Sequence, residues 1–188
     1  MVDATVARVG SAVVCLVRGV NVGGRGKLPM ATLRQVAADL GFTGATTYLQ
    51  SGNLVLPDPP EGLDVAAALE AGLGDVGFST TVMSRTAAAW AAVVAANPFP
   101  RAAVDGTRVH VAFVSEPVGD AFDDVDTSRF DPERVRIVNG PRSTEVYLSL
   151  PGGIGRSRLA AHLGRGALEP ATIRNWNTVT ALHDLVAE

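Results

Sequence analysis

A β-branched apolar run at residues 12–18 breaks directly into a glycine loop and then into a helical repeat, and that strand–loop–helix opening admits few folds. The loop holds Gly19, Gly23, Gly24 and Gly26. Pro29 follows at a position suited to a first helical turn, where its missing N–H costs nothing. Met30, Leu33, Val36, Ala37 and Leu40 then recur at helical spacing, and Gly41 ends the repeat. Residues 46–50 and 54–56 read as two short strands joined by Ser51-Gly52-Asn53, a turn composition. Asp64 is placed to cap a helix carrying Val65, Leu69 and Leu73. Residues 78–83 read as a fourth strand. The order βαββαβ predicts a four-stranded antiparallel sheet with two helices on one face.

An alanine-rich helix over 86–96 and the breaker Asn97-Pro98-Phe99-Pro100 close this first half. The remainder repeats the order in degraded form. Strands are expected at 108–114, 134–138 and 145–150, a short helix near 118–122, a helix at 157–163, and a last helix carrying Val179, Leu182, Leu185 and Val186. The halves share an element order but no visible sequence motif. Two domains are expected, residues 1–100 with the glycine loop and residues 101–188 with the C-terminal helix.

Composition supports a packed core: 47% of residues are hydrophobic and 19% charged. The single cysteine, Cys15, lies in the apolar opening run and reads as a small buried hydrophobe. One cysteine forms no internal disulfide, which fits a reducing compartment. The N-terminus lacks a secretion pattern, and the longest apolar run, 87–96, is half of what a membrane span needs. A cytoplasmic protein without a membrane partner is expected.

The net charge of −3 offers no general attraction to nucleic acid, but its distribution is uneven. Residues 4–38 contain no acid and carry Arg8, Arg18, Arg25, Lys27 and Arg34. Residues 116–133 carry seven acids against Arg129, the pattern of a solvated surface segment. The glycine loop therefore lies in the basic stretch. Its glycines let backbone N–H groups approach an anion, and it leads into a helix N-terminus, which favours negative charge. It is not a Walker loop, because Asn21 and Leu28 stand where glycine and Ser or Thr are needed. Pro29 breaks the glycine spacing of a dinucleotide fingerprint. Lys27 is the only lysine among 16 basic residues, which suggests a position needing a compact ammonium. A tight structural turn with solvated cations is the competing reading.

Two further polar motifs stand out. In a βαββαβ sheet the end of the first strand lies beside the start of the third, which brings Arg18 and Asn21 near Gln50, Ser51 and Asn53. Amides are scarce, with six Asn and two Gln in the chain, so their concentration here suits orientation of a polar ligand or of the loop itself. The third motif is Thr172-Ile173-Arg174-Asn175-Trp176-Asn177-Thr178. Asn175 or Asn177 is suited to capping the last helix, Trp176 to packing, and Arg174 to meeting a phosphate or an acid.

These three blocks, with Lys27-Leu28-Pro29-Met30 and Gly41-Phe42, resemble the signature of the bacterial family known as domain of unknown function 1697. The resemblance implies a pair of ferredoxin-like halves. The expected fold is thus α+β, two consecutive ferredoxin-like halves of βαββαβ type, with antiparallel sheets and helices on one face. It implies no established activity and so no catalytic residue. The expected ligand is a small phosphorylated or nucleotide-like anion. Its candidate residues are Arg18, Asn21, Gly23, Gly24, Lys27, Gln50, Ser51, Asn53, Arg174 and Asn175.

Other functions have less support. RNA-binding modules of this element order stack bases on aromatics of the two central strands, and residues 12–17 and 54–56 have none. A scaffold whose motifs are structural is the second alternative. His110, His162 and His183 lack metal-ligand spacing, so no metal and no cofactor are expected, and whether any reaction is catalysed stays open. His110 is expected to be a satisfied core residue and His183 to face outward. The sequence sets no oligomeric state.

Overall fold

The computed structural model describes residues 12–21, 27–118, 126–140, 143–164 and 170–187. The chain divides into two compact units, Met1–Ala91 with Leu182–Glu188, and Ala92–Ala181. It is an α+β protein with two four-stranded antiparallel sheets.

The first sheet is built from β1 (Val13–Val17), β2 (Thr46–Tyr48), β3 (Asn53–Leu56) and β4 (Val82–Thr86), in the order β2-β3-β1-β4. Helix α1 (Met30–Asp39) links β1 to β2, and α2 (Val65–Asp75) links β3 to β4. Alternate residues of the central strands, Val13, Cys15, Val17, Leu54 and Leu56, share one core cluster with Met30, Leu33, Val36 and Ala37 of α1 and Val65, Leu69 and Leu73 of α2. Each fully buried leucine here contributes roughly 2 kcal/mol relative to exposure. Leu40, expected on the same stripe, is exposed because it is already the C-cap of α1. Gly72 lets the two helices approach closely, since a Cβ there would lie 2.8 Å from Val36 Cγ1. The opposite face of the sheet is buried as well: Val14, Leu16, Val55 and Met83 are shut from water.

Both helices end on the same device. Gly41 and Gly77 take positive φ, 84° and 88°. Gly41 N–H donates to Ala38 O and Phe42 N–H to Ala37 O, while Gly77 donates to Gly74 O and Phe78 to Leu73 O. This is the paired bonding of a Schellman cap, with a phenylalanine folded back on the core side. Because the second cap runs through Phe78, the fourth strand starts at Val82 and not at residue 78 as expected. Asp64 caps α2 by accepting from Ala67 N–H at 3.0 Å. Pro29 is the N-cap of α1, one residue earlier than expected.

Helix α3 (Ala87–Ala95) follows β4 without a break. The second sheet comprises β5 (Val109–Val114), β6 (Arg134–Asn139), β7 (Thr144–Ser149) and β8 (Ala171–Asn175), in the order β6-β7-β5-β8. Helix α4 (Arg158–Leu163) precedes β8, and α5 (Trp176–Ala187) follows it directly. Ala112, Val114, Val146, Leu148 and Leu150 pack with Leu159 and Leu163 of α4. The short helix expected near 118–122 falls outside the described residues beyond Val118. Strand β8 was not expected. Its residues look polar, but alternate ones are buried.

The register exposes a repeat that the sequence conceals. Arg85 of β4 pairs with Val14, and Arg174 of β8 pairs with Val111, the two equivalent central strands. Each arginine is buried and donates from Nη1 to the carbonyl of the residue before it, Ser84 at 2.8 Å and Ile173 at 2.9 Å. Each is followed by a side-chain cap: Thr86 Oγ1 accepts from Ala89 N–H and Asn175 Oδ1 from Thr178 N–H.

Candidate functional site

The first two motifs meet at one end of the first sheet. Leu16 pairs with Asn53, so the exit of β1 lies beside the entry of β3. Val17 N–H then donates to Gly52 O at 2.8 Å. Arg18 extends the ladder on the other side, its N–H donating to Thr81 O at 2.9 Å and its carbonyl accepting from Thr80 Oγ1 at 2.7 Å.

Asn21 is the hinge pin of this region. Its φ is 57°, a left-handed conformation that asparagine tolerates. Its Oδ1 accepts from Leu28 N–H at 3.0 Å, and its Nδ2 donates to Leu28 O at 2.9 Å. The side-chain amide thus imitates a backbone pairing and ties residue 21 to residue 28. The same Nδ2 donates to Gln50 O at 2.6 Å. One amide therefore joins the base of the loop, the lead-in to α1 and the β2–β3 turn. Gly23 and Gly24 lie outside the described residues.

The turn is equally constrained. Asn53 is fully buried, and its Nδ2 donates to Tyr48 O at 2.8 Å and to Ser51 Oγ at 2.9 Å. Its amide braces the hairpin from within. Gly52 has φ 73°, and a Cβ there would lie 2.6 Å from Val20 Cγ2 and 2.9 Å from Val17 Cβ. Only glycine meets both demands.

At the surface stand Lys27 and the side chain of Gln50, both exposed, with Arg18 half-buried. Arg34 lies on the adjoining side, its Nη1 donating to Thr47 Oγ1 at 2.6 Å. Helix α1 begins here with no acid in its first turn. Its N-cap is Pro29, which supplies no side-chain acceptor. Helices α2, α3, α4 and α5 each have one, from Asp64, Thr86, Ser157 and Asn175. The first N–H groups of α1 thus lack side-chain acceptors among the described residues, next to cations.

The third motif belongs to the second unit. Arg174 is 8% exposed. Its Nη1 donates to Thr172 Oγ1 at 2.7 Å, and burial lowers its pKa to about 10. Asn175 caps α5, as the motif suggested. Cys15 is buried, and desolvation pushes its thiol up to about 12, too high for a thiolate nucleophile. His110 is not satisfied as expected: its buried Nδ1 has no hydrogen-bond partner among the described residues, and burial lowers its pKa. His183 does not simply face outward either, since its Nδ1 is buried and has no hydrogen-bond partner among the described residues. Among the described residues no group of three or more His, Cys, Asp or Glu side chains is placed to hold a metal ion. No helix among them is long and apolar enough to cross a membrane.

One residue of this region escaped the sequence reading. Leu49, the first residue of the β2–β3 turn, has φ 56° and is 56% exposed. In the sequence it continues a strand-like run, and nothing local marks it as left-handed.

A solved structure of similar fold is that of the conserved bacterial protein SP0830 from Streptococcus pneumoniae. It is 20% identical, with a TM-score of 0.70, covering 94% of this chain and 99% of that one. No curated protein matches the chain. Residues 11–141 match the family described as protein of unknown function (DUF1697), a span that includes both motifs of the first sheet and stops short of the third. With most of its length and its opening signature matched, the chain belongs to that family.

Proposed function

We propose that the surface formed by residues 18–21 and 27–28 with the 49–52 turn binds a small phosphorylated or nucleotide-like anion. The observation that carries this reading is the Asn21 amide. It pins the loop to Leu28 and Gln50 beside an α1 N-terminus that no side chain caps. Such an arrangement offers backbone N–H groups and dipole without internal competition from a carboxylate. Lys27, exposed at the same place, supplies a compact charge. Arg174 and Asn175 belong to the second unit, where Arg174 donates to Thr172 and Asn175 caps α5.

On this reading the halves, 1–100 and 101–188, are successive ferredoxin-like units, supported by the matching strand orders. The buried lone cysteine suits a cytoplasmic protein. Nucleic acid is not the ligand we propose. Strands β1 and β3 carry no aromatic residue, and Phe113 and Tyr147 of β5 and β7 are fully buried, leaving no stacking face there.

The test is thermal denaturation with inorganic phosphate, ribose 5-phosphate and adenosine monophosphate. A ligand at about 100 times its Kd stabilises by about 2.7 kcal/mol, a shift of several degrees. At least one of these should raise the Tm of the wild type, and raise it less in Lys27→Ala. If none moves the wild type, or both proteins respond alike, the reading fails. A scaffold role is the second reading, favoured by the commitment of Asn21 and Asn53 to backbone carbonyls. It predicts that Asn21→Ala loses stability and that no anion moves the Tm.

A further inference from the structure

Two side chains that meet across the second sheet have incompatible needs once a proton arrives. His110 of β5 is 6% exposed, and its Nδ1 has no hydrogen-bond partner among the described residues. In the register of the sheet it stands opposite Asn175 of β8 on one side and Leu148 of β7 on the other. Directly opposed residues of an antiparallel pair place their side chains on one face, with Cβ atoms about 5 Å apart. The leucine offers no acceptor. The asparagine offers Oδ1, which already accepts from Thr178 N–H at 2.9 Å and so caps α5.

The charged groups described around this face are placed otherwise. Arg108, two residues before His110, is held by Asp105 and by Pro151 O. Glu133 accepts from Leu159 N–H at the start of α4. Arg129, Arg158 and His162, on the segments that cover the face, are exposed. Glu145, Tyr147 and Arg174 occupy alternate positions, on the other side of the sheet. Burial lowers the His110 pKa, and the positive end of α5 opposes the same charge.

We propose that His110 and Asn175 form a proton-operated latch on the first turn of α5. With His110 neutral, Asn175 Oδ1 caps the helix. A proton taken from water makes both ring nitrogens donors. Asn175 Oδ1 then turns from Thr178 N–H to accept from His110 Nδ1–H. The imidazolium is satisfied, and the helix start is uncapped. The latch is closed above about pH 6.5 and opens as the pH falls toward the depressed value.

Hydrogen exchange read by NMR on the full chain tests this, with wild type, His110→Leu and Asn175→Asp, alongside the imidazole titration of His110. In the wild type, protection of the Thr178 amide should fall below pH 6.5 in step with that titration, by up to about tenfold per pH unit, the limit for one coupled proton. The amides of the β5–β7 ladder should fall less. In His110→Leu the extra loss at Thr178 should vanish. In Asn175→Asp one carboxylate oxygen can cap α5 while the other accepts from the imidazolium, so His110 should titrate at higher pH with Thr178 still protected. The proposal is overturned if Thr178 and the ladder lose protection in parallel, which marks a response of the whole fold. A loss at Thr178 that survives His110→Leu overturns it too, as does a His110 titration that Asn175→Asp leaves unmoved. Should His110→Leu fail to fold, the Asn175→Asp titration decides alone.

Discussion

Gly52 shows most directly how one residue holds the candidate site together. Its positive φ and its closeness to Val17 and Val20 make any Cβ a collision with atoms that are themselves buried. Gly52→Ala should therefore cost about 2 kcal/mol or more, read as a lowered urea midpoint with an unchanged slope. A loss under about 0.5 kcal/mol would mean that the turn relaxes freely and that its link to the loop is loose. Asn21 and Asn53 show how the same chemistry divides. Both amides bond to main-chain carbonyls, yet Asn53 braces its own hairpin, whereas Asn21 reaches 29 residues along the chain to Gln50.

At the scale of elements, the first half relies on caps. Helices α1 and α2 end on Gly-Phe pairs whose N–H groups close the last turn. Gly77→Ala should lose about 1 kcal/mol, since the left-handed cap penalises any Cβ and nothing crowds that position otherwise. Chemical denaturation measures it, and a stabilised variant would show that Gly77 costs more in chain entropy than its cap returns. A different device closes α3. The buried Tyr147 hydroxyl donates to Val93 O at 2.8 Å, satisfying a carbonyl of the last helical turn, and burial with the nearby Glu145 raises the phenol pKa.

The whole molecule should respond to mild acid through His110. Burial lowers its pKa below the usual 6.5, so the folded protein takes up the proton less readily than the unfolded chain. The resulting stability is complete above about pH 6.5 and is lost as the pH falls toward the depressed value. Urea midpoints should drop between about pH 7.5 and pH 5 in the wild type, and drop less in His110→Leu. Parallel curves for the two proteins would exclude His110 as the source. Asp105 and Asp126 are also held low, by hydrogen bonds from Thr107 and Ser128, but their contribution is lost only at more acid pH, so the windows separate.

What could be read along the chain was whatever depends on near neighbours. Helical spacing located α1 and α2, Asp64 and Gly41 marked ends, and the order of elements pointed to the first sheet, in which the exit of β1 lies beside the entry of β3. Strand β8 stayed hidden because Thr172 and Arg174 look like loop residues, yet they pair with β5 and their side chains are buried. The recurrence of Arg85 and Arg174 was invisible for the same reason, since equivalence there is a matter of register. Likewise the bond from Asn21 to Gln50, the closeness of Gly52 to Val17 and the left-handed Leu49 follow from how separated strands align. Periodicity and caps act over a few residues and are written in them. Hydrogen-bond partners and backbone strain are set by which strands meet, and that choice belongs to the folded chain.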